Sequence, residues 1–237
     1  MDNLQGLISK QVNNMLVQFE TLGYLSNNVS NTQTTAYKSQ RFENYLKEDG
    51  RLEAVLRHDY VQGTIMQTGR DLDVAINGAG FIPVIDQNGQ TKYTRDGSFR
   101  VTSEGTIVTR DNCIVGGGIN LPADYNRLKI QPNGKVMIQK TKTSEFEEIG
   151  EIPLVTFRNP EGLKVLEGNK VEETNDSGKP IYLSENKNFK QHALESSNVD
   201  MYGTVQNILQ INASLIASKN LTQVIDDMYK EVINLRQ

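Results

Sequence analysis

The chain has a single cysteine, Cys113, no tryptophan, and only two histidines, His58 and His192. One cysteine excludes an intramolecular disulfide and any multi-cysteine zinc site. Two scattered imidazoles leave little material for nucleophile–base chemistry. No stretch approaches the ~18 consecutive apolar residues of a membrane span, so membrane insertion is not expected. A basic surplus is missing too. Lys and Arg number 25 against 29 Asp and Glu, a net charge of −4, whereas a nucleic-acid binder normally shows a basic surplus or patch. Nucleic acid is therefore not an expected partner. Residues 1–14 contain no basic segment leading into an apolar one, and no cleaved secretory signal is expected. What remains, 37% hydrophobic and 23% charged over 237 residues, has an ordinary soluble composition. It suffices for one to two domains at about 150 residues each.

The middle of the chain reads as β structure. Leu72, Val74 and Ile76 alternate with Asp71, Asp73, Ala75 and Asn77, the period of a strand with one buried face. Asn88-Gly89, Asp96-Gly97 and Asn133-Gly134 favour tight hairpin turns, because Asn, Asp and Gly tolerate positive φ; Glu104-Gly105 reads as a further turn. Short runs between them (91–95, 98–102, 106–110, 135–140 and 152–157) are strand candidates, and their spacing suggests an antiparallel sandwich or distorted barrel. Residues 167–179 read as polar loop.

The two ends are helical. From Leu4, the apolar positions Leu7, Ile8, Val12, Met15, Leu16, Phe19 and Leu22 mark one stripe. Ile208, Ile211, Leu215, Ser218, Leu221, Ile225, Met228, Val232 and Leu235 step by three or four. That spacing resembles a coiled-coil seam, with one irregularity where two threes adjoin. The other faces are short of charge: residues 1–37 carry Asp2, Lys10 and Glu20 alone, and residues 201–220 Lys219 alone. A solvent-facing helix normally carries Lys and Glu. Such helices are marginal by themselves and depend on packing. The bland reading is two helices packed on each other or on the β region. The sharper one is that both faces are covered, the second by other subunits, since amides and hydroxyls cross an interface without desolvating an ion.

No catalytic constellation stands out. Gly78-Ala79-Gly80-Phe81 lacks the third glycine and the following helix of a dinucleotide fingerprint, so it reads as a turn. Gly116-Gly117-Gly118 lacks the Lys-Ser/Thr of a phosphate loop. Asp71 and Asp73 read as solvated carboxylates, with no oxygen-rich loop around them for calcium. Ser184–Lys187 matches Ser-x-x-Lys without its supporting motifs. Cys113 reads as a structural thiol. No catalytic residue, metal or cofactor is expected.

Four blocks do carry a resemblance. Residues 26–38 (Ser26-Asn27-Asn28 through Ala36-Tyr37-Lys38), residues 72–81 (Leu72-Asp73-Val74 through Gly80-Phe81), Tyr93–Phe99 with Gly105–Thr109, and Leu194–Asp200 occur in family order and span most of the chain. Together they resemble the bacterial flagellar rod and hook proteins, most of all basal-body rod proteins of the proximal or distal type. Ala36 stands where that family often has Gly. Ala at positive φ would cost about 1 kcal/mol, so a different local turn is expected.

The resemblance implies an α+β fold: long N- and C-terminal helices forming a paired, coiled-coil-like domain, with a central, mostly antiparallel β domain. Residues 1–38 would form the N-terminal helical segment, 39–70 an extended connection, 71–193 the β domain and 194–237 the C-terminal helix. It also implies a non-enzymatic structural subunit, polymerising helically into the drive shaft between motor and hook. Its expected partners are itself, other rod and hook subunits and the type III export apparatus. The expected location is the periplasm-spanning basal body. Expected subunit-contact residues are Leu7, Met15 and Phe19 on one helix and Ile208, Leu215, Ile225 and Val232 on the other. Asn27, Asn28 and Asn31 are expected to fix the helix end. The alternatives are a hook-type axial protein or, from another class, a soluble β-domain binding module with helical arms.

Overall fold

Charge-poor termini with apolar residues every three or four positions form the two long helices, α1 (Leu4–Ser30) and α2 (Met201–Asn234). The computed structural model describes residues 4–48, 50–184 and 187–234. They divide into two units: residues 1–32, 39–59 and 199–237 in the first, residues 33–38 and 60–198 in the second.

In the first unit α1 packs on α2 and on a hairpin of β1 (Gln40–Leu46) and β2 (Leu52–His58), antiparallel with Phe42 opposite Leu56. Phe42 meets the ring of Tyr24 edge-on at 4.9 Å. Asn13 donates to the Leu52 carbonyl at 2.9 Å. Asp200 precedes α2 at its N-cap, and Thr204 donates back to the Asp200 carbonyl through N–H and hydroxyl at 2.9 and 2.6 Å.

These features correct the expected fold class. The helices are not a coiled-coil domain in their own right. The unit has one helix pair completed by a β hairpin, and the supposed seam is buried only in part: Leu215 and Ile225 are buried, while Leu221 and Met228 are 51% and 58% exposed. The reason is geometric. On a helix of 3.6 residues per turn, each step of three falls back about 60° and each step of four advances about 40°. The adjoining threes at Leu215, Ser218 and Leu221 carry Leu221 out of the contact. The next four returns Ile225 to it, and the next three removes Met228.

The central region is antiparallel β structure, with strands that begin at Ile65, inside the stretch expected as a connection, and end at Glu195. It comprises β3 (Ile65–Gln67), β4 (Val74–Ile76), β5 (Ile82–Ile85), β6 (Thr91–Thr94), β7 (Arg100–Val101), β8 (Ile107–Val108), β9 (Ile114–Val115), β10 (Arg127–Ile130), β11 (Lys135–Gln139), β12 (Glu147–Glu151), β13 (Leu154–Thr156), β14 (Lys164–Leu166), β15 (Lys170–Glu172), β16 (Ile181–Leu183), β17 (Phe189–Gln191) and β18 (Ala193–Glu195). A seven-stranded sheet runs β14-β15-β6-β5-β9-β8-β7 and a three-stranded one β10-β11-β12. The pairs β13-β16, β17-β4 and β18-β3 complete the set, and every described pairing is antiparallel. The core gathers Val74, Ile76, Ile82, Val84, Phe99, Ile107, Val115, Val136, Ile138 and Ile152, with Cys113 beside them.

Asn88-Gly89, Glu104-Gly105 and Asn133-Gly134 turn the hairpins β5–β6, β7–β8 and β10–β11, each glycine at positive φ. Asp96-Gly97 does not turn a hairpin, because β6 and β7 are not neighbours. Gly97 is needed for close approach: a Cβ there would stand on the Val74 carbonyl oxygen, and the Val74 N–H donates to the Gly97 carbonyl at 3.1 Å. Two further expectations change. Residues 74–76 are buried on both faces, since Ala75 is as inaccessible as its neighbours. Residues 170–172, read as loop, form β15 between β14 and β6, with Val171 inside a second cluster of Phe81, Tyr93, Val155, Phe157 and Leu163.

Candidate assembly faces and the motif junction

In the first unit α1 and α2 use one face each for their mutual contact. Val17, Leu215 and Ile225 are buried there, and Gln18 donates to the Ser214 hydroxyl at 2.9 Å. Opposite that face α2 presents a second apolar stripe, Tyr202, Val205, Leu209, Ile216, Val224 and Met228, which is exposed; Leu209 is 65% and Ile216 62% accessible. On α1, Val12, Leu16 and Phe19 are likewise open. No Lys or Glu screens these stripes between residues 201 and 218. Scattered exposed apolar residues are ordinary, but contiguous apolar stripes on charge-poor helices mark interaction surfaces.

Of the residues expected to carry subunit contacts, Phe19 lies on the open stripe, Met15 and Ile208 are half-buried, and Leu215 and Ile225 are taken up by the intrachain pair. The side chains of Leu7 and Val232 lie outside the described residues. Sequence reasoning followed one stripe per helix; it included Leu16 on α1 but missed Leu209 and Ile216 on α2. Their signal is a second series of threes and fours, through Val205, Leu209, Ala213 and Ile216, offset by half a turn from the first.

At the end of α1, Asn28 is buried and clasps the start of β1. Its Nδ2 donates to the Gln40 carbonyl at 2.7 Å, and its Oδ1 accepts from the Gln40 N–H at 2.9 Å. Asn31 Nδ2 donates to the Asn27 carbonyl at 2.9 Å and to Asn27 Oδ1 at 3.0 Å. Asn27 Nδ2 reaches Gln40 Oε1 at 3.3 Å.

In the second unit the recognisable blocks converge on one buried carboxylate. Glu195, its side chain fully inaccessible, accepts from Lys38 Nζ at 2.6 Å and from the Gly63 N–H at 2.9 Å through Oε1. Through Oε2 it accepts from Arg95 Nε at 2.9 Å and Nη2 at 2.8 Å. Arg95 also donates to the carbonyls of Gly80 (2.6 Å) and Gly78 (2.9 Å). The Gly-Ala-Gly turn thus serves as an acceptor cradle for a guanidinium. The Glu195 carbonyl accepts from the Ala36 N–H at 2.8 Å. Ala36 itself sits at φ 56°, so the expected change of turn is not found: the position keeps the left-handed conformation without a glycine.

Sequence reasoning named none of Lys38, Arg95 and Glu195 as chemically paired, because each is separated from the others by at least 57 positions and no local pattern links them. It also misread Asp73, which is buried and 3.3 Å from Arg70, whereas Asp71 is exposed as expected. Cys113 is buried in the β core.

Two terminal helices with open apolar stripes, carried by the same chain as an antiparallel β unit, define a structural subunit that has surface left for further contacts. Residues 75–138 match the family described as flagellar hook protein FlgE/F/G D1 domain. The flagellar basal-body rod protein FlgG of Bacillus subtilis is 31% identical over 179 residues, 72% of this chain and 67% of that protein. Those of Agrobacterium fabrum and Borreliella burgdorferi are each 28% identical, covering 90% and 100% of this chain and 93% and 91% of theirs. The chain belongs to the family of flagellar basal-body rod proteins.

Proposed function

We propose that this chain polymerises helically, with further axial subunits of the flagellum, into the rod that carries torque from motor to hook. The observation that carries the reading is the open apolar stripe on each charge-poor helix, Val12, Leu16 and Phe19 on α1 and Val205, Leu209 and Ile216 on α2. A contact between different patches of successive copies does not close on itself and generates a helical filament. In this reading Phe19 contributes to the subunit contact directly. Met15, Ile208, Leu215 and Ile225 contribute by holding the helix pair that presents it; Leu7 and Val232 are proposed as contact residues from their place in the sequence pattern alone. Charge-poor helices with few buried residues also suit passage through a narrow type III export channel in an unfolded state, followed by ordering on assembly. Export without a cleaved signal, and residence across the periplasm, belong to the same proposal. The test is deletion of the gene followed by isolation of basal bodies. Rods that stop short, with hook and filament absent, are expected; intact rods would reject the role.

A further inference from the structure

Glu195 belongs to β18, the last strand of its unit, and its two cationic partners come from residue 38 at the unit's beginning and residue 95 in its middle. The same closure is written in the strands. β18 pairs with β3 and β17 with β4, so the first strands are completed by the last. The Lys38 and Arg95 side chains are 9% and 4% exposed in the closed unit. The carbonyls of Gly78 and Gly80 also accept from Arg95, but neutral acceptors do not cancel a buried charge. Closing the unit before the carboxylate is in place would bury the Arg95 guanidinium without its counterion and withhold from Lys38 the same carboxylate, which is strongly unfavourable.

We infer that Glu195 is a folding gate: the β unit cannot close around residues 38 and 95 until residue 195 has docked, and that docking is already made in the folding transition state. In a chain delivered N-terminus first, residues 60–194 would stay open until β18 has emerged. That consequence rests on the export reading above; the gate itself does not, and it is tested on the purified full chain.

The probe is Cys113, the single cysteine, buried in the β core. Pulse-labelling with a thiol reagent during refolding and unfolding reports on this unit alone. The variant Glu195→Gln is expected to refold about tenfold more slowly or worse, with its unfolding rate changed by less than about threefold. The double variant Glu195→Gln with Lys38→Met restores the cluster's net charge and is expected to recover about tenfold in refolding rate over Glu195→Gln. Faster unfolding of Glu195→Gln at an unchanged refolding rate would overturn the gate. So would a double variant that refolds no faster than the single one, including the case where neither folds.

Discussion

At residue 36 the backbone holds φ 56° beneath a buried methyl group. The left-handed conformation costs alanine about 1–2 kcal/mol. Glycine would relieve that, but would lose about 0.5–1 kcal/mol in chain entropy and about 0.8 kcal/mol in methyl burial. The terms nearly cancel, so Ala36→Gly is expected to stay within about 1 kcal/mol of the wild type. Ala36→Val places a β-branched side chain in the same left-handed conformation at a buried position. A loss of about 2–4 kcal/mol is expected, read as earlier thermal exposure of Cys113. His58 gives a pH signature in the helical unit. Burial lowers its pKa below the ordinary histidine value of 6.5, and Gln40 Nε2 lies 3.1 Å from its Nε2, an arrangement that suits a neutral ring accepting a hydrogen bond from the amide N–H. A depressed folded pKa means that protonation favours the unfolded chain. The contribution is full above about pH 6.5 and falls as pH drops through the folded value. Denaturant midpoints of the helical unit between pH 7 and pH 5 should decline, and His58→Gln should flatten that decline; an equal slope in the variant would refute the assignment.

At the scale of an element, α2 has two apolar faces with different work. Leu215→Asp puts an unpaired charge into the helix pair, where burial costs several kcal/mol. Amide-exchange protection along α2 should collapse while β4–β9 keep theirs. Ile216→Asp, one residue on, lies on the open stripe and should change helix protection of the dilute, unassociated chain by no more than about 0.5 kcal/mol. Association measured by light scattering should nevertheless fail. If Ile216→Asp still associates normally, the outer stripe is not the contact. Elements of this kind were legible in the sequence to very different degrees. The three Asn-Gly and Glu-Gly hairpins could be read because a turn's chemistry is local. Leu215 and Ile225 could be read because they repeat at helical spacing. Leu221 and Met228 were assigned to the wrong face because a sequence of threes and fours does not say whether the helix supercoils. Val171 gave no strand signal, since β15 is held by its neighbours on both sides. The Glu195 junction was invisible for the same reason: its partners meet only after the sheet has closed.

For the whole molecule, the two units should respond differently to concentration. The β unit buries a large apolar core of its own. Among the described residues the helical unit buries few apolar side chains, Val17, Leu215 and Ile225, and leaves its outer stripes open. If those stripes are satisfied by further copies of the chain, assembly binds the folded helical unit and not the unfolded one. Mass action then stabilises it by RT ln(1 + [L]/Kd), about 2.7 kcal/mol at a hundred times the dissociation constant. The midpoint of helix loss, followed by circular dichroism at 222 nm with urea as denaturant, should therefore rise with protein concentration. The midpoint of Cys113 exposure, which reports the β core, should stay fixed. Ile216→Asp should abolish the concentration dependence of the first without moving the second. A helical transition that is independent of concentration in the wild type would mean that the open stripes do not meet one another, and the rod contact would have to be sought on the β unit.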